Sequence, residues 1–83
     1  MRVRNFGSKL RALRKEKGLS LWALAEEFGY QTHSYINEVE LGRKEPTVEL
    51  VLKVARFFDV TTDELLKDEI ILGPSKSSKK QAG

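Results

Sequence analysis

The sequence predicts an all-α fold, a compact domain of five short helices. Apolar residues recur at spacings of three and four, the period at which side chains share one face of a helix. Ser or Thr residues suited to helix capping precede most of these stretches, and single glycines follow three of them. The 83 residues suit one domain with a modest core, and with no cysteine present that core must be stabilised by packing alone.

The first predicted helix covers residues 7–17. Phe6, Leu10 and Leu13 form its apolar stripe, basic side chains cover most of the rest, and Gly18 ends it. We expect residues 1–5 to form a basic N-terminal arm ahead of this helix.

The second helix is predicted over residues 21–28, with Ser20 as its N-cap and Gly29 as its end. Its inward face consists of Leu21, Leu24, Ala25 and Phe28, and the small Ala25 would permit close approach of another helix. Trp22 lies to one side, where we expect it to pack against another part of the domain, with a contact to DNA or to a partner as the alternative.

The third helix is predicted to start near Thr32, its expected cap, and to end at Gly42. Val39, with Tyr35 or Ile36, would face inward, so short polar side chains remain at its N-terminal end. Two short helices joined by a turn of three or four residues form a helix-turn-helix, here residues 20–41. Polar side chains at the start of the second of these helices suit the major groove of DNA.

Two further helices complete the predicted domain, residues 6–72. Thr47 caps the fourth helix, which is apolar on most of its circumference. Thr61 and Glu64 form a capping box that starts the fifth helix at about residue 62. An apolar patch at 70–72 follows, and residues 73–83 are predicted to be a disordered basic tail.

The net charge is only +3, but the charges are segregated along the chain. Residues 1–18 carry seven basic residues and one acidic residue, whereas residues 19–41 carry four acidic residues and no Lys or Arg. Basic segments on either side of the motif would suit phosphate contacts, although ordinary solvated faces explain the same pattern.

Composition disfavours other classes of function. His33 is the single histidine and no cysteine is present, so the sequence offers no Cys–His pair and no zinc-ligand cluster. The glycines stand singly and form no phosphate-binding loop. We therefore expect no enzymatic activity, cofactor, metal or small-molecule ligand. No apolar run approaches the ~20 residues of a membrane span, so we expect a cytoplasmic protein without membrane contact.

Three segments together resemble the lambda-repressor-like helix-turn-helix family, which includes Cro-type and xenobiotic-response-element-type bacterial and phage regulators. These segments are LRALRKEKGLS, LWALAEEFGY and YINEVELGRKEPTVELVLKVARFFDVTTDELL. The resemblance covers about residues 6–67. It implies a transcriptional regulator that binds double-stranded DNA sequence-specifically and acts as a repressor. Its recognition helix would be the third helix.

The resemblance also implies roles for individual residues. The positions matching base contacts, or lying beside them, are Thr32, His33, Ser34, Tyr35, Asn37 and Glu38. The positions expected to contact phosphates are Ser20, Leu21, Gln31, Arg43 and Lys44. Arg14 and Glu40 match a pair that forms a structural salt bridge, so Glu40 is expected to support the fold.

Several alternatives stay open from the residues themselves. His33 could be a solvated surface histidine, and Glu38 could pair with Arg43 or Lys44 at the helix edge. Leu41 is expected to pack in the core. Two features depart from the family pattern: Leu21 stands where Gln is common, and the turn before the third helix is one residue longer than usual.

A module of this size reads only a few base pairs, so we expect a homodimer on a palindromic operator. The predicted dimer surface consists of Phe58, Val60, Leu65, Ile70, Ile71 and Leu72; closure of a monomer core is the alternative use of these residues. A second function, from another class, is an antitoxin-like or adaptor module that uses the same fold to bind protein without reading DNA.

Overall fold

The computed structural model describes residues 5–67, and within them the chain forms five α-helices and no strand. The helices are α1 (Phe6–Glu16), α2 (Leu21–Glu27), α3 (Ser34–Glu40), α4 (Val48–Phe58) and α5 (Thr62–Leu66). None of these helices is long and apolar enough to cross a membrane. The predicted arm up to residue 4, the patch Ile70, Ile71 and Leu72, and the tail at 73–83 lie outside the described residues.

Local hydrogen bonds at helix starts match the sequence prediction. The Ser20 hydroxyl accepts from the Ala23 N–H at 3.0 Å, and the Thr47 hydroxyl accepts from the first turn of α4. Thr61 and Glu64 form the complete capping box, each side chain accepting from the other's backbone N–H. Because these bonds join residues only three apart, they help fix where α2, α4 and α5 begin.

The core is assembled by α1 packing on α3 and α5, α2 packing on α3, and α4 packing on α5. Its buried apolar residues are Phe6, Leu10, Leu13, Leu24, Ala25, Phe28, Ile36, Val39, Leu50, Val51, Val54, Phe58 and Leu65. All five helices contribute to this single cluster, so α3 is held by residues from distant parts of the chain.

Two helices approach closely at Gly7, where α1 crosses the C-terminal end of α3. A Cβ atom at this position would lie 2.8 Å from the carbonyl oxygen of Glu40 and closer still to that of Val39. No side chain fits against these rigid backbone atoms. The sequence prediction had assigned close approach to Ala25, which is also buried, but overlooked Gly7.

Two residues of the predicted dimer surface are core residues. Phe58 is 9 % exposed and Leu65 is fully buried, because α4 and α5 turn these side chains inward. Val60 is partly buried and packs against the same core. The burial of Phe58 and Leu65 supports the alternative in which they close the core, and the dimer surface stays a prediction.

Two other large apolar residues are more exposed than the sequence indicated. Leu41, expected in the core, is 55 % exposed, and Trp22 is 61 % exposed, so its packing against another part of the domain is limited to one face that contacts the His33 ring. The inward positions of α2 are taken by Leu24 and Ala25. Leu41 follows the last helical residue of α3, where Gly42 already turns the chain away in a left-handed conformation.

Lys9 is buried although the sequence placed it among the solvated basic residues of α1. Its ammonium donates to the carbonyl oxygens of Glu64 at 2.6 Å and of Lys67 at 2.7 Å. These carbonyls lie at the C-terminal end of α5, where no further helical N–H can reach them. Lys9 therefore joins the first helix to the last.

Candidate nucleic-acid interface

The connection between α2 and α3 is longer than predicted, since residues 28–33 separate the two helices. Thr32 does not cap α3: His33 is the N-cap and provides no side-chain hydrogen bond. The Thr32 hydroxyl instead accepts from the Ser34 N–H at 3.3 Å. This local bond between residues 32 and 34 stabilises a turn, which competes with the helix, and the N-cap lies one residue later than predicted.

The orientation of α3 is set by Ile36 and Val39, both buried. The opposite side therefore faces solvent, and Thr32 and Ser34 are exposed there. His33, Asn37 and Glu38 are partly exposed. The polar start of α3 is thus accessible, as a helix entering a DNA groove requires.

Tyr35 has a different environment from the other predicted base contacts. Its hydroxyl accepts from the Thr47 N–H at 3.0 Å and donates to the Glu45 carbonyl at 3.3 Å. The hydroxyl therefore holds the α3–α4 loop, residues 41–47, against the recognition helix. Because both hydrogen bonds go to the backbone, Tyr35 positions that loop, and the single donor of its hydroxyl is already used.

Arg43 and Lys44 are exposed in the same loop. Arg43 lies 3.5 Å from the carboxylate of Glu38, which matches the alternative in which Glu38 pairs at the helix edge. An exposed ion pair of this length contributes little stability, so a phosphate group could replace the carboxylate at low cost. Among residues 5–67, Lys44 has no ion-pair partner.

Glu40 and Arg14 form the ion pair implied by the family resemblance. The guanidinium donates from Nε to Oε2 at 2.7 Å and from Nη2 to Oε1 at 3.0 Å, and its Nη1 donates to the Leu19 carbonyl at 2.8 Å. The side chain of Arg14 is 10 % exposed and that of Glu40 is 4 % exposed. This bidentate pair fixes α3 to α1 and to the start of the motif, so Glu40 supports the site from behind.

Lys53 is a residue of the site that the sequence did not reveal. From the middle of α4 its ammonium donates to the Phe28 carbonyl at 2.6 Å, just past the end of α2. It also lies 4.9 Å from the centre of the Tyr30 ring, a cation–π contact. The only local signal was Glu49, four residues earlier on α4 and 3.2 Å from the ammonium.

Tyr30 links this lysine to the recognition helix. Its ring packs edge-to-face on Tyr35 with centroids 5.6 Å apart. Burial raises the pKa of the Tyr30 phenol above 10.0, and nearby Tyr35 and Glu49 raise it further. The turn between α2 and α3 is therefore stabilised by the ring contact of Tyr30 with Tyr35 and by the cation–π contact of Tyr30 with Lys53.

The remaining predicted phosphate contacts lie at the start of α2 and in the turn. Ser20 and Gln31 are exposed, whereas Leu21 is half-buried and packs against the core. The Ser20 hydroxyl is already an acceptor for the α2 backbone. Leu21 can approach a phosphate only through its backbone N–H, since its side chain has no donor.

His33 and Trp22 form an aromatic pair between the two helices of the motif. Their ring centroids are 4.9 Å apart with an interplanar angle of 71°. The Nδ1 atom of His33 is buried without a hydrogen-bond partner, which leaves Nε2 as the nitrogen available to an external group. No group of three or more His, Cys, Asp or Glu residues that could hold a metal ion occurs in the described part of the chain.

Comparisons with known proteins agree with this geometry. The sequence profile of the family described as Helix-turn-helix matches residues 10–65. The HTH-type transcriptional activator BcrR of Enterococcus faecalis is 37 % identical over 67 residues, covering 81 % of this chain and 32 % of BcrR. The cryptic phage CTXphi transcriptional repressor RstR of Vibrio cholerae is 36 % identical over 63 residues, covering 76 % of this chain and 56 % of RstR.

A solved structure shares the arrangement of helices. The restriction-modification controller protein C.AhdI from Aeromonas hydrophila superposes with a TM-score of 0.65 at 39 % identity, covering 75 % of this chain and 92 % of C.AhdI. The present chain thus spans about a third of BcrR and just over half of RstR, but nearly the whole of C.AhdI. From the matched residues and the shared fold, this chain belongs to the xenobiotic-response-element-type helix-turn-helix family of DNA-binding transcriptional regulators.

Proposed function

We propose that the protein is a sequence-specific repressor that binds a palindromic operator in double-stranded DNA as a homodimer. The observation that carries this proposal is the two-sided arrangement of α3. Ile36 and Val39 are buried, while Thr32 and Ser34 are exposed at the helix start. A rigid helix with a polar, accessible N-terminal end is the geometry by which such motifs read base edges in the major groove.

In this proposal the base contacts come from His33 and Ser34, with Thr32, Asn37 and Glu38 beside them. Tyr35 orients the α3–α4 loop through its hydroxyl. Arg43 and Lys44 in that loop contact phosphates, together with Ser20, Leu21 and Gln31 on the other side of α3. Phosphate contacts fix the register of the protein on DNA, and the base contacts provide the sequence preference.

A DNA-reading domain that occupies a promoter blocks transcription, which favours repression as the sense of regulation. The name of RstR, a transcriptional repressor, supports this sense, whereas BcrR is named as an activator. The dimer follows from the few base pairs that one module can read. With Phe58 and Leu65 in the core, the proposed dimer surface is reduced to Val60 and the patch 70–72.

The test is selection of random double-stranded DNA on the purified protein at about 0.15 M salt, a concentration at which screening limits nonspecific binding. Enrichment of an inverted repeat is the expected result, with half-sites about one helical turn apart. Enrichment of one short half-site would retain DNA reading and reject the dimer. No enrichment would reject sequence reading and favour the adaptor function instead.

Matched variants then separate phosphate contacts from base contacts. The double variant Arg43→Ala/Lys44→Ala should weaken binding to every duplex and reduce the slope of log affinity against log salt by about 2. Removing the same two charges elsewhere, with Arg56→Ala/Lys67→Ala on α4 and after α5, controls for net charge and should have a smaller effect.

The variant His33→Ala/Ser34→Ala tests the base contacts. Each lost contact should cost about 1–3 kcal/mol on the selected operator and much less on unrelated DNA. An equal loss on both kinds of DNA would contradict the proposed base reading, and unchanged affinity for both in this variant and in the loop variant would reject DNA binding by this surface.

A further inference from the structure

Trp22 is a large aromatic residue on the surface of α2, with 61 % of its area exposed. Its indole N–H, which can only donate, has no hydrogen-bond partner among the described residues. The residues of α2 that are buried in the hydrophobic core are Leu24 and Ala25. Neither core packing nor internal hydrogen bonding therefore explains a tryptophan at this position.

The position of Trp22 relative to α3 is defined by its contact with His33. The two ring centroids are 4.9 Å apart, and His33 is the N-cap of α3. A molecule seated on the exposed start of α3 therefore lies beside the indole as well. The Nδ1 atom of His33 is buried without a hydrogen-bond partner, so one edge of this ring is shielded from solvent.

We propose that Trp22 is a DNA-backbone contact whose indole N–H donates to a phosphate oxygen flanking the bases read by α3. This inference rests on the proposed DNA-reading function and adds a residue to it. Bases in a duplex are stacked, so a side chain beside the groove meets phosphates and sugars first. A phosphate oxygen is an acceptor and matches a group that only donates, while the adjacent Leu21 has no side-chain donor.

His33 has a positioning role in this arrangement. Its edge-to-face contact lies between the indole and the start of α3, so the base-reading end of α3 and the backbone contact are neighbours on the surface. Loss of the Trp22 contact is expected to weaken binding to all sequences about equally, because phosphates carry no sequence information.

Two substitutions separate the hydrogen bond from the apolar contact. Trp22→Phe keeps an aromatic ring and removes the N–H, and we expect it to bind any duplex about tenfold more weakly, as for loss of a hydrogen bond to a charged group. Trp22→Ala should lose at least as much. Leu52→Ala, an exposed apolar residue on α4, is the control and should bind normally. Because Trp22 is exposed, all variants should remain folded by circular dichroism.

A change in the DNA identifies the contacted phosphate. Single methylphosphonates, which remove the charge of one phosphate, are placed in turn along the selected operator. One substitution should weaken the wild type strongly and Trp22→Phe little, because that variant has already lost the contact. In addition, Trp22 is the single tryptophan, so its fluorescence should change on DNA addition and saturate together with the polarisation of labelled DNA.

The outcomes are distinct. If DNA binds but Trp22→Phe and Trp22→Ala both have normal affinity, or tryptophan emission is unchanged in saturating DNA, the Trp22 contact is rejected and the proposed function stands. If Phe retains affinity while Ala loses it, the contact is apolar and the hydrogen bond is rejected. If the wild type binds no duplex, both the function and this inference fail, and exposed Trp22 would be tested for binding a protein.

Discussion

Replacing Glu40 with Leu is expected to be among the most destabilising single changes in this domain. The carboxylate is 4 % exposed and accepts two hydrogen bonds from Arg14, at 2.7 and 3.0 Å. In the Glu40→Leu variant the guanidinium would remain buried with the Leu19 carbonyl as its one remaining acceptor. A buried charge deprived of its partner is unfavourable because water cannot solvate it.

The magnitude follows from this geometry. Breaking one side of a buried pair costs about 3–5 kcal/mol, compared with a total stability of roughly 5–15 kcal/mol for a domain. For a domain of this size each kcal/mol lowers the melting temperature by about 4–8 °C, so the variant should melt roughly 12–40 °C lower. Because the core is small, the total stability of the wild type should lie near the lower end of that range. The variant should therefore be largely unfolded well below the melting temperature of the wild type.

The double variant Arg14→Met/Glu40→Leu provides the decisive comparison. Apolar residues of similar volume remove both charges, so most of the stability should return. It should remain about 1 kcal/mol below the wild type, because the Leu19 carbonyl loses its donor. The assay is urea unfolding followed by far-ultraviolet circular dichroism. Asp63→Asn is the control, since Asp63 and Lys67 are 3.8 Å apart and exposed, and should change stability by less than about 0.5 kcal/mol.

Two results would refute this reasoning. A loss below about 1 kcal/mol for Glu40→Leu would mean that the pair is accessible to water or that the site relaxes easily. A double variant as unstable as the single one would mean that the destabilisation comes from packing at these positions and not from the unpaired charge.

Three further predictions concern packing and helix ends. Leu24→Ala should cost about 2–5 kcal/mol in urea unfolding, because Leu24 is fully buried; a change below half of one kcal/mol would mean that α2 is rotated from the observed orientation. Gly7→Ala should lower stability by about 1–3 kcal/mol despite the better helix propensity of Ala, since the added methyl group meets backbone carbonyls of α3; a more stable variant would contradict the close crossing. Lys9→Met should leave two carbonyls at the end of α5 unpaired, at a cost of about 1–3 kcal/mol. Relative to the wild type, amide exchange in the variant should be faster in α5 and nearly unchanged in α2; equal protection of α5 in the two proteins would count against this prediction.

Helix starts were the most predictable part of the fold. Ser20, Thr47 and Thr61 cap their helices as their side chains indicated, because each cap is a hydrogen bond between residues three apart. The same principle failed at Thr32, whose hydroxyl bonds two residues ahead and forms a turn. Thr can do either, and the choice depends on how the rest of α3 packs.

Only part of the candidate site could be predicted from the sequence. The polar start of α3 could be predicted from its residues, whereas the Arg14–Glu40 pair followed from the family resemblance, since its partners are 26 positions apart. The contact of Lys53, on α4, with the carbonyl of Phe28 at the end of α2 was indicated neither by its neighbouring residues nor by the family resemblance. Its reach across the domain depends on the placement of α4, which no local pattern specifies.

By itself, the sequence determined the number of helices within residues 5–67, most of their ends and most of the apolar residues that form the core, because periodicity and capping act within one or two turns of chain. Tertiary structure alone decided which apolar residues were left outside, such as Trp22 and Leu41, and which charged ones were taken in, such as Lys9. Burial of these residues depends on where distant helices cross, and that is settled only when the whole core packs together.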